Sequence, residues 1–349
     1  MSEAQTQQPS TTTRTPAATL AELQRVYHQP LLDLLFQAQQ MHRANNDPND
    51  IQRCALLSIK TGACPEDCGY CAQSGRHNAE LKKEALLAVD EVLAKARAAK
   101  EEGAQRFCMG AAWRNVRDGE QFDRVIEMVK GVRELGMEAC VTLGMLTDAQ
   151  AERLATAGLT AYNHNLDTSR RHYPKVVTTR TYDDRINTIK SVQRAGIAAC
   201  CGSIIGMKED EDDRLMMLGE LLAFDTPPES IPINCLVPIA GTPMADAVPP
   251  HPLELVRLVA TTRLFFPKAR IRLSAGREQM SDELQTLCFF AGANSIFFGD
   301  KLLTTPNQGL SRDAKLFSAL GLPALTPEEV QAPNGPSPAA RERESQLPA

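Results

Sequence analysis

No apolar run in this sequence approaches the roughly 20 residues that a membrane-spanning helix needs. The start, MSEAQTQQPSTTTRTPAATL, lacks a charged segment followed by an apolar core, so it does not read as a secretory signal. Arg14 is its only basic residue and Glu3 is present, which speaks against a transit peptide. A cytoplasmic location is expected. Positive charge is short as well: 38 Lys and Arg face 43 Asp and Glu, for a net charge of −5. A nucleic-acid surface needs basic clustering, so none is expected. Ten cysteines in 349 residues are too few for a disulfide scaffold. In a reducing compartment each is a thiol, a metal ligand or a small buried apolar residue.

Long linkers and low-complexity breaks are also missing from the interior. Residues 1–18 are rich in Thr, Gln, Ser and Pro and read as a disordered leader, and 327–349 read as a similar tail. Residues 19–326 then form a single domain. Within it, short β-rich runs alternate with longer helical ones. Strands are expected over 55–58, 106–109, 138–143, 160–163, 198–204, 231–236, 271–273 and 295–298. Amphipathic helices are expected over 90–102, 120–135, 182–195, 211–222, 251–266 and 278–291. In the second of these, Phe122, Val125, Ile126, Val129 and Val132 recur at helical spacing. Strand–helix alternation predicts parallel pairing with helical crossovers. Eight repeats favour closure into a (βα)8 TIM-type barrel, with an open doubly wound sheet as the alternative.

Against this background the stretch TGACPEDCGYCAQ stands out. Cys64, Cys68 and Cys71 fall within eight positions, just after the first expected strand. Gly62, Pro65 and Gly69 keep the segment out of regular structure. One reading is a structural zinc site completed by a distant Cys or His, with His77 near enough in sequence to serve. The other is an iron–sulfur cluster with one iron left open to a small molecule. Three more cysteines, Cys108, Cys140 and Cys200, lie in separate expected strands, and Arg272 lies in another. Inward-facing residues of a barrel meet in layers, so these can surround one centre. A buried arginine there needs compensating negative charge. Cys54, Cys235 and Cys288 are expected to be core thiols, and Cys201 faces away from Cys200 by strand alternation.

Cys-x-x-x-Cys-x-x-Cys with an aromatic before the last cysteine resembles the signature of radical S-adenosylmethionine enzymes. The segments LLSIKTGACPEDCGYCAQS, RFCMGAAWR, YNHNLDTS, RLSAGREQM and AGANSIFFGDKLLTTPN resemble the biotin synthase family, in the family's order. The likeness runs from about residue 20 to about residue 325.

The resemblance implies clusters and active site inside the barrel and at its C-terminal mouth. Cys64, Cys68 and Cys71 would hold a 4Fe–4S cluster, with S-adenosyl-L-methionine as its fourth ligand. Cys108, Cys140, Cys200 and Arg272 would hold a 2Fe–2S cluster that donates sulfur to dethiobiotin, making biotin. It also implies cosubstrate contacts from Tyr70, Gly110, Ala111, Asp167, Arg185, Gly202 and Ile204. Asn163, Asn165 and Asn234 would serve the ureido group or ribose, and Thr304 and Thr305 the substrate carboxylate. Flavodoxin or ferredoxin would supply electrons, iron–sulfur assembly machinery would load the clusters, and the chain would be a homodimer. Two other readings are weaker. An electron carrier or zinc-stabilised protein leaves the barrel cysteines and Arg272 unexplained. The lipoyl synthase pattern needs a second compact cysteine motif near the N-terminus, whereas only Cys54 precedes Cys64.

Overall fold

The computed structural model describes residues 19–322, so the leader over 1–18, the tail over 327–349 and the last few residues of the expected domain lie outside the described residues. Nine strand segments form one parallel sheet: β1 (Gln52–Lys60), β2 (Arg106–Ala111), β3 (Glu138–Thr142), β4 (Ala161–Asn163), β5 (Ala198–Cys200), β6 (Ser203–Ile205), β7 (Ser230–Cys235), β8 (Arg270–Leu273) and β9 (Ser295–Phe298). Their order is β5-β4-β3-β2-β1-β9-β8-β7-β6, and Cys200 in β5 pairs with Ser230 in β7, which closes the sheet. β5 and β6 are two pieces of one barrel strand. The fold is therefore a closed eight-strand (βα)8 barrel of TIM type.

The expected strand over 198–204 breaks for a steric reason. At Gly202 an added Cβ would lie 1.9 Å from the Pro232 carbonyl oxygen. Backbone crosses backbone here, and only glycine permits the approach. β1 begins three residues earlier than expected, because Gln52, Arg53 and Cys54 carry no apolar signature although all three are buried.

Helices fill the crossovers. Glu120–Glu134 buries Phe122, Val125, Val129 and Val132 against the outward face of the sheet, including Phe107, Met109, Ala139 and Val141. Thr147, Thr181 and Asp210 open their helices with reciprocal capping boxes. The helix expected over 278–291 starts later, as Asp282–Phe290, because the Ser281 side chain caps it by accepting from the Leu284 N–H. Two large apolar clusters lie between strands and helices. A third, of Cys54, Cys108, Cys140 and Ala161, is separate from both and sits inside the barrel.

Candidate active site

The C-terminal ends of the strands open into a cavity of about 300 Å³. The long connection after β1, residues 61–88, carries the cysteine loop across its mouth. That loop is fastened by its own backbone: the Cys64 N–H donates to the Gln73 carbonyl at 2.9 Å, and the Gly75 N–H to the Cys64 carbonyl at 2.7 Å. Asp67 ties it to a second loop by accepting from the Thr178 and Thr179 N–H groups at 2.9 and 3.2 Å. Buried Glu66 pairs with Arg114 at 3.2 Å. These contacts explain the acidic pair between the cysteines. Cys64, Cys68 and Cys71 all line the cavity.

Burial pushes the thiols of Cys64, Cys68 and Cys71 up, that of Cys71 to about 12. Arg180, which the sequence did not single out, offsets this for two of them; its Nη2 lies 3.7 Å from Cys68 Sγ. Lys60 adds positive charge near Cys64. Such cations favour thiolates, the form that binds metal. The His77 ring engages the Cys68 carbonyl at 3.0 Å. Among the described residues, no three His, Cys, Asp or Glu side chains stand close enough to hold a single metal ion. Three thiols lining one cavity suit a multi-iron group with one iron left open.

Facing the cysteine loop is a compact polar network. The Tyr70 hydroxyl donates to Asp167 Oδ2 at 2.8 Å, and Arg185 Nη2 donates to the same oxygen at 2.5 Å. Arg185 Nε donates to the Tyr173 hydroxyl at 2.8 Å. Asn163 ends β4, whereas Asn165 and Asp167 follow it in a loop, so the expected strand alternation stops short of them. All three still line the cavity, as does buried His164 between them. Asn234, Ile204, Thr304 and Thr305 line it too. The amide of Asn234 is already engaged, donating to the Ser203 carbonyl and accepting from the Ala275 N–H. Gly110 and Ala111 form the wall at β2, and Leu303 from the Thr304–Thr305 loop lies where a Cβ on Gly110 would sit, 2.7 Å away. Gly202 does not line the cavity. It supports it from behind, donating its N–H to Asn165 Oδ1 at 3.1 Å.

One layer deeper, Cys108 and Cys140 are register partners in β2 and β3, and Cys200 is partnered with Asn163. Arg272, 1% exposed, donates Nη1 to Cys200 Sγ at 3.5 Å and Nε to Ser295 Oγ at 2.9 Å. Burial opposes its charge, but the sulfurs of Cys54, Cys200 and Cys108 outweigh this and hold the guanidinium above its ordinary value. The hydrogen bond with Cys140 keeps the Cys108 thiol well above its usual range. Cys54 is a fully buried core thiol, as expected, and its place is in this inner group, next to Cys108. Cys201 and Cys288 lie in the outer apolar core, as expected, and Cys235 packs against that core while also lining the mouth cavity. Below lies a charged floor, where Arg106 meets Glu138 at 2.7 Å and Glu229 at 3.1 Å.

A parallel barrel with a three-cysteine loop across its C-terminal mouth defines a radical S-adenosylmethionine enzyme, and residues 58–222 match the model of the Radical SAM superfamily. Residues 232–323 match the Biotin and Thiamin Synthesis associated domain. Among solved structures, methylornithine synthase aligns with a TM-score of 0.75 at 18% identity, covering 90% of this chain and 96% of that one. The FeFe-hydrogenase maturase HydG from Carboxydothermus hydrogenoformans aligns at 0.73 and 18%, covering 87% and 75%. These likenesses concern the fold. Sequence similarity is much higher to the biotin synthase of Gloeobacter violaceus, 60% identical over 88% of this chain and 97% of the relative. The biotin synthase of Methylorubrum populi is 59% identical over 87% and 90%. The chain belongs to the biotin synthase family. Membership of the wider superfamily implies a 4Fe–4S cluster and S-adenosylmethionine. Among the described residues, no helix is long and apolar enough to cross a membrane.

Proposed function

We propose that this chain inserts sulfur between two saturated carbons of dethiobiotin to form biotin, using an inner 2Fe–2S centre as the sulfur source. The observation that carries this reading is the position of Asn163. It lines the mouth cavity, yet its Nδ2 lies 3.3 Å from Cys200 Sγ in the layer below. One side chain thus touches both the space for a small substrate and the thiol group beneath it. A sulfur donor directly under the substrate needs that arrangement.

In this reading Cys64, Cys68 and Cys71 hold the 4Fe–4S centre, and Cys108, Cys140, Cys200 and Arg272 enclose the 2Fe–2S centre. The bound cluster and cosubstrate would supply a carbon radical able to remove hydrogen from unactivated carbon. The protein's own work is binding and exclusion of water. Tyr70, Asp167 and Arg185 form a preset face for the cosubstrate's hydroxyl and carboxylate groups, with the backbone of Gly110 and Ala111, the Ile204 side chain and the Gly202 turn completing it. The amides of Asn163 and Asn165 both donate and accept, as a ureido group requires. Asn234 braces that wall through its backbone contacts. The Thr304 and Thr305 hydroxyls receive the substrate carboxylate. The reductant is flavodoxin or ferredoxin, iron–sulfur assembly machinery loads the centres, and the working unit is a homodimer.

Iron-57 Mössbauer spectra of anaerobically reconstituted protein test this. Signals from both centres are expected, along with biotin formation from dethiobiotin. Cys140→Ser should remove the 2Fe–2S signal and biotin formation while sparing the 4Fe–4S signal. Loss of both signals together would make the two-site reading wrong.

A further inference from the structure

Arg180 is a buried cation whose hydrogen bonding is incomplete. It stands directly before the helix that Thr181 caps, and its side chain is 9% exposed. It lines the mouth cavity together with Cys64, Cys68 and Cys71. Its Nη2 donates to Cys68 Sγ at 3.7 Å. Its Nε is buried and has no hydrogen-bond partner. Glu66 Oε2 lies 3.9 Å from that nitrogen and accepts instead from the Thr179 hydroxyl, while Glu66 Oε1 pairs with Arg114.

Arginines buried for the sake of the fold look different in this chain. All three nitrogens of Arg263 donate to oxygens, of the Gly292, Phe266 and Pro267 carbonyls and of Asn294. All three of Arg277 donate to Gln285, Asp313 and the Phe297 carbonyl. A buried charge with an unmet donor is costly unless negative charge stands close by. Asp167 is already engaged by Arg185 at 2.5 Å. Burial and the neighbouring Arg185 oppose the charge of Arg180, and Cys68 is foremost among the groups that favour it, so the guanidinium is held above its ordinary value. The negative group that Arg180 faces is therefore the cysteine loop and whatever its thiolates hold.

We infer that Arg180 sets the reduction potential of the centre held by Cys64, Cys68 and Cys71, through its N–H···S bond to Cys68 and its fixed positive charge. The inference rests on the assignment of those three thiols to the 4Fe–4S centre; it does not depend on the inner centre or on the substrate. Reduction adds one electron, supplied by the flavodoxin or ferredoxin, and no bond forms or breaks. The guanidinium stays protonated throughout, so no proton moves. An added negative charge beside a buried cation is stabilised, and hydrogen bonds to sulfur and local charge are levers on iron–sulfur potentials. Arg180 therefore raises the potential and makes the centre easier to reduce. Lys60, on the Cys64 side, is committed to the carbonyls of Gly62 and Ala112. Arg180 acts through Cys68 and is a positioning residue rather than a ligand.

The test is a dithionite titration of the anaerobically reconstituted full chain with redox mediators, followed by electron paramagnetic resonance of the reduced 4Fe–4S centre. Arg180→Met should lower the equilibrium constant for one-electron reduction about tenfold or more, a fall in midpoint potential of about 59 mV or more. Its Mössbauer 4Fe–4S signal and iron content should match the unsubstituted chain. Arg180→Lys, which keeps the charge, should recover most of the shift. An Arg180→Met constant within about threefold of the unsubstituted value, or an Arg180→Lys shift as large as that of Arg180→Met, would overturn the inference. If Arg180→Met fails to assemble the centre, Arg180→Lys decides alone. A centre retained near the unsubstituted potential supports the inference, and a centre lost or shifted about tenfold overturns it. Absence of a 4Fe–4S centre from the unsubstituted chain would overturn the assignment of the three thiols, and the inference with it.

Discussion

Asp167 ties several parts of the mouth together through its side chain and its backbone. It accepts from Tyr70 and Arg185, its N–H donates to the Gly202 carbonyl at 3.1 Å, and its carbonyl accepts from the Ile204 N–H at 2.8 Å. Its φ of 68° is left-handed, a region that Asp visits more readily than most residues. Asp167→Ala should weaken S-adenosylmethionine binding at least tenfold by equilibrium dialysis. It should also destabilise the fold by about 3–5 kcal/mol, since it strands the buried Arg185 charge. Unchanged affinity would remove Asp167 from the cosubstrate site. The motif YNHNLDTS marked this residue in the sequence. Arg180, beside Cys68, left no sequence signal, because nothing in the spacing of TTRTYDD points to a cysteine 112 positions earlier.

Two elements stand out for close backbone approach or desolvation. The break between β5 and β6 depends on Gly202, and Gly202→Ala would drive a methyl into the Pro232 carbonyl. Urea unfolding should register a loss at or above about 3 kcal/mol, the upper range for overpacking. A loss under about 1 kcal/mol would mean that the strands can separate cheaply. The helix Leu31–Asn45 packs on Pro252–Phe265 and buries His42, neither of whose ring nitrogens has a hydrogen-bond partner. Burial pushes the His42 pKa down to about 3, helped by Arg263, Arg270 and Arg43 and opposed by Asp47. The folded value lies below the ordinary 6.5, so the neutral ring favours folding at higher pH. Stability should fall as pH drops from about 6.5 towards 3, and His42→Leu should flatten that part of the Tm–pH curve. An identical slope in both proteins would exclude His42 as its source.

At the scale of the whole molecule, the barrel floor ties distant segments together. Arg106 of β2 pairs with Glu138 of β3 and with Glu229 just before β7, while Gln52 of β1 donates to Glu138 at 2.9 Å. Arg106→Leu should cost about 3–5 kcal/mol in chemical denaturation by leaving Glu138 buried and unpaired. Arg106→Leu with Glu138→Leu should cost less than the single change. If the double variant is worse, the floor is held by packing rather than by charge.

Much of this protein was readable without coordinates. The alternation of strand and helix periods predicts parallel crossovers, and all eight expected strands exist within a few residues. The caps at Thr147, Thr181 and Asp210 and the backbone turns within the three-cysteine loop act through neighbours close in the chain, so the sequence alone determines them. Other features depend on barrel closure. The register sets Cys54 opposite Arg106 and Leu56 opposite Cys108, so Cys54 meets Cys108 on the diagonal, although the polar run Gln52–Arg53–Cys54 hides its own strand. Contacts across the mouth likewise engage the Asn234 amide with backbone and bring Leu303 against Gly110. Local physics sets which face of each strand points inward. Only the closed sheet, with its shear and its pinch at Gly202, decides which inward residues meet.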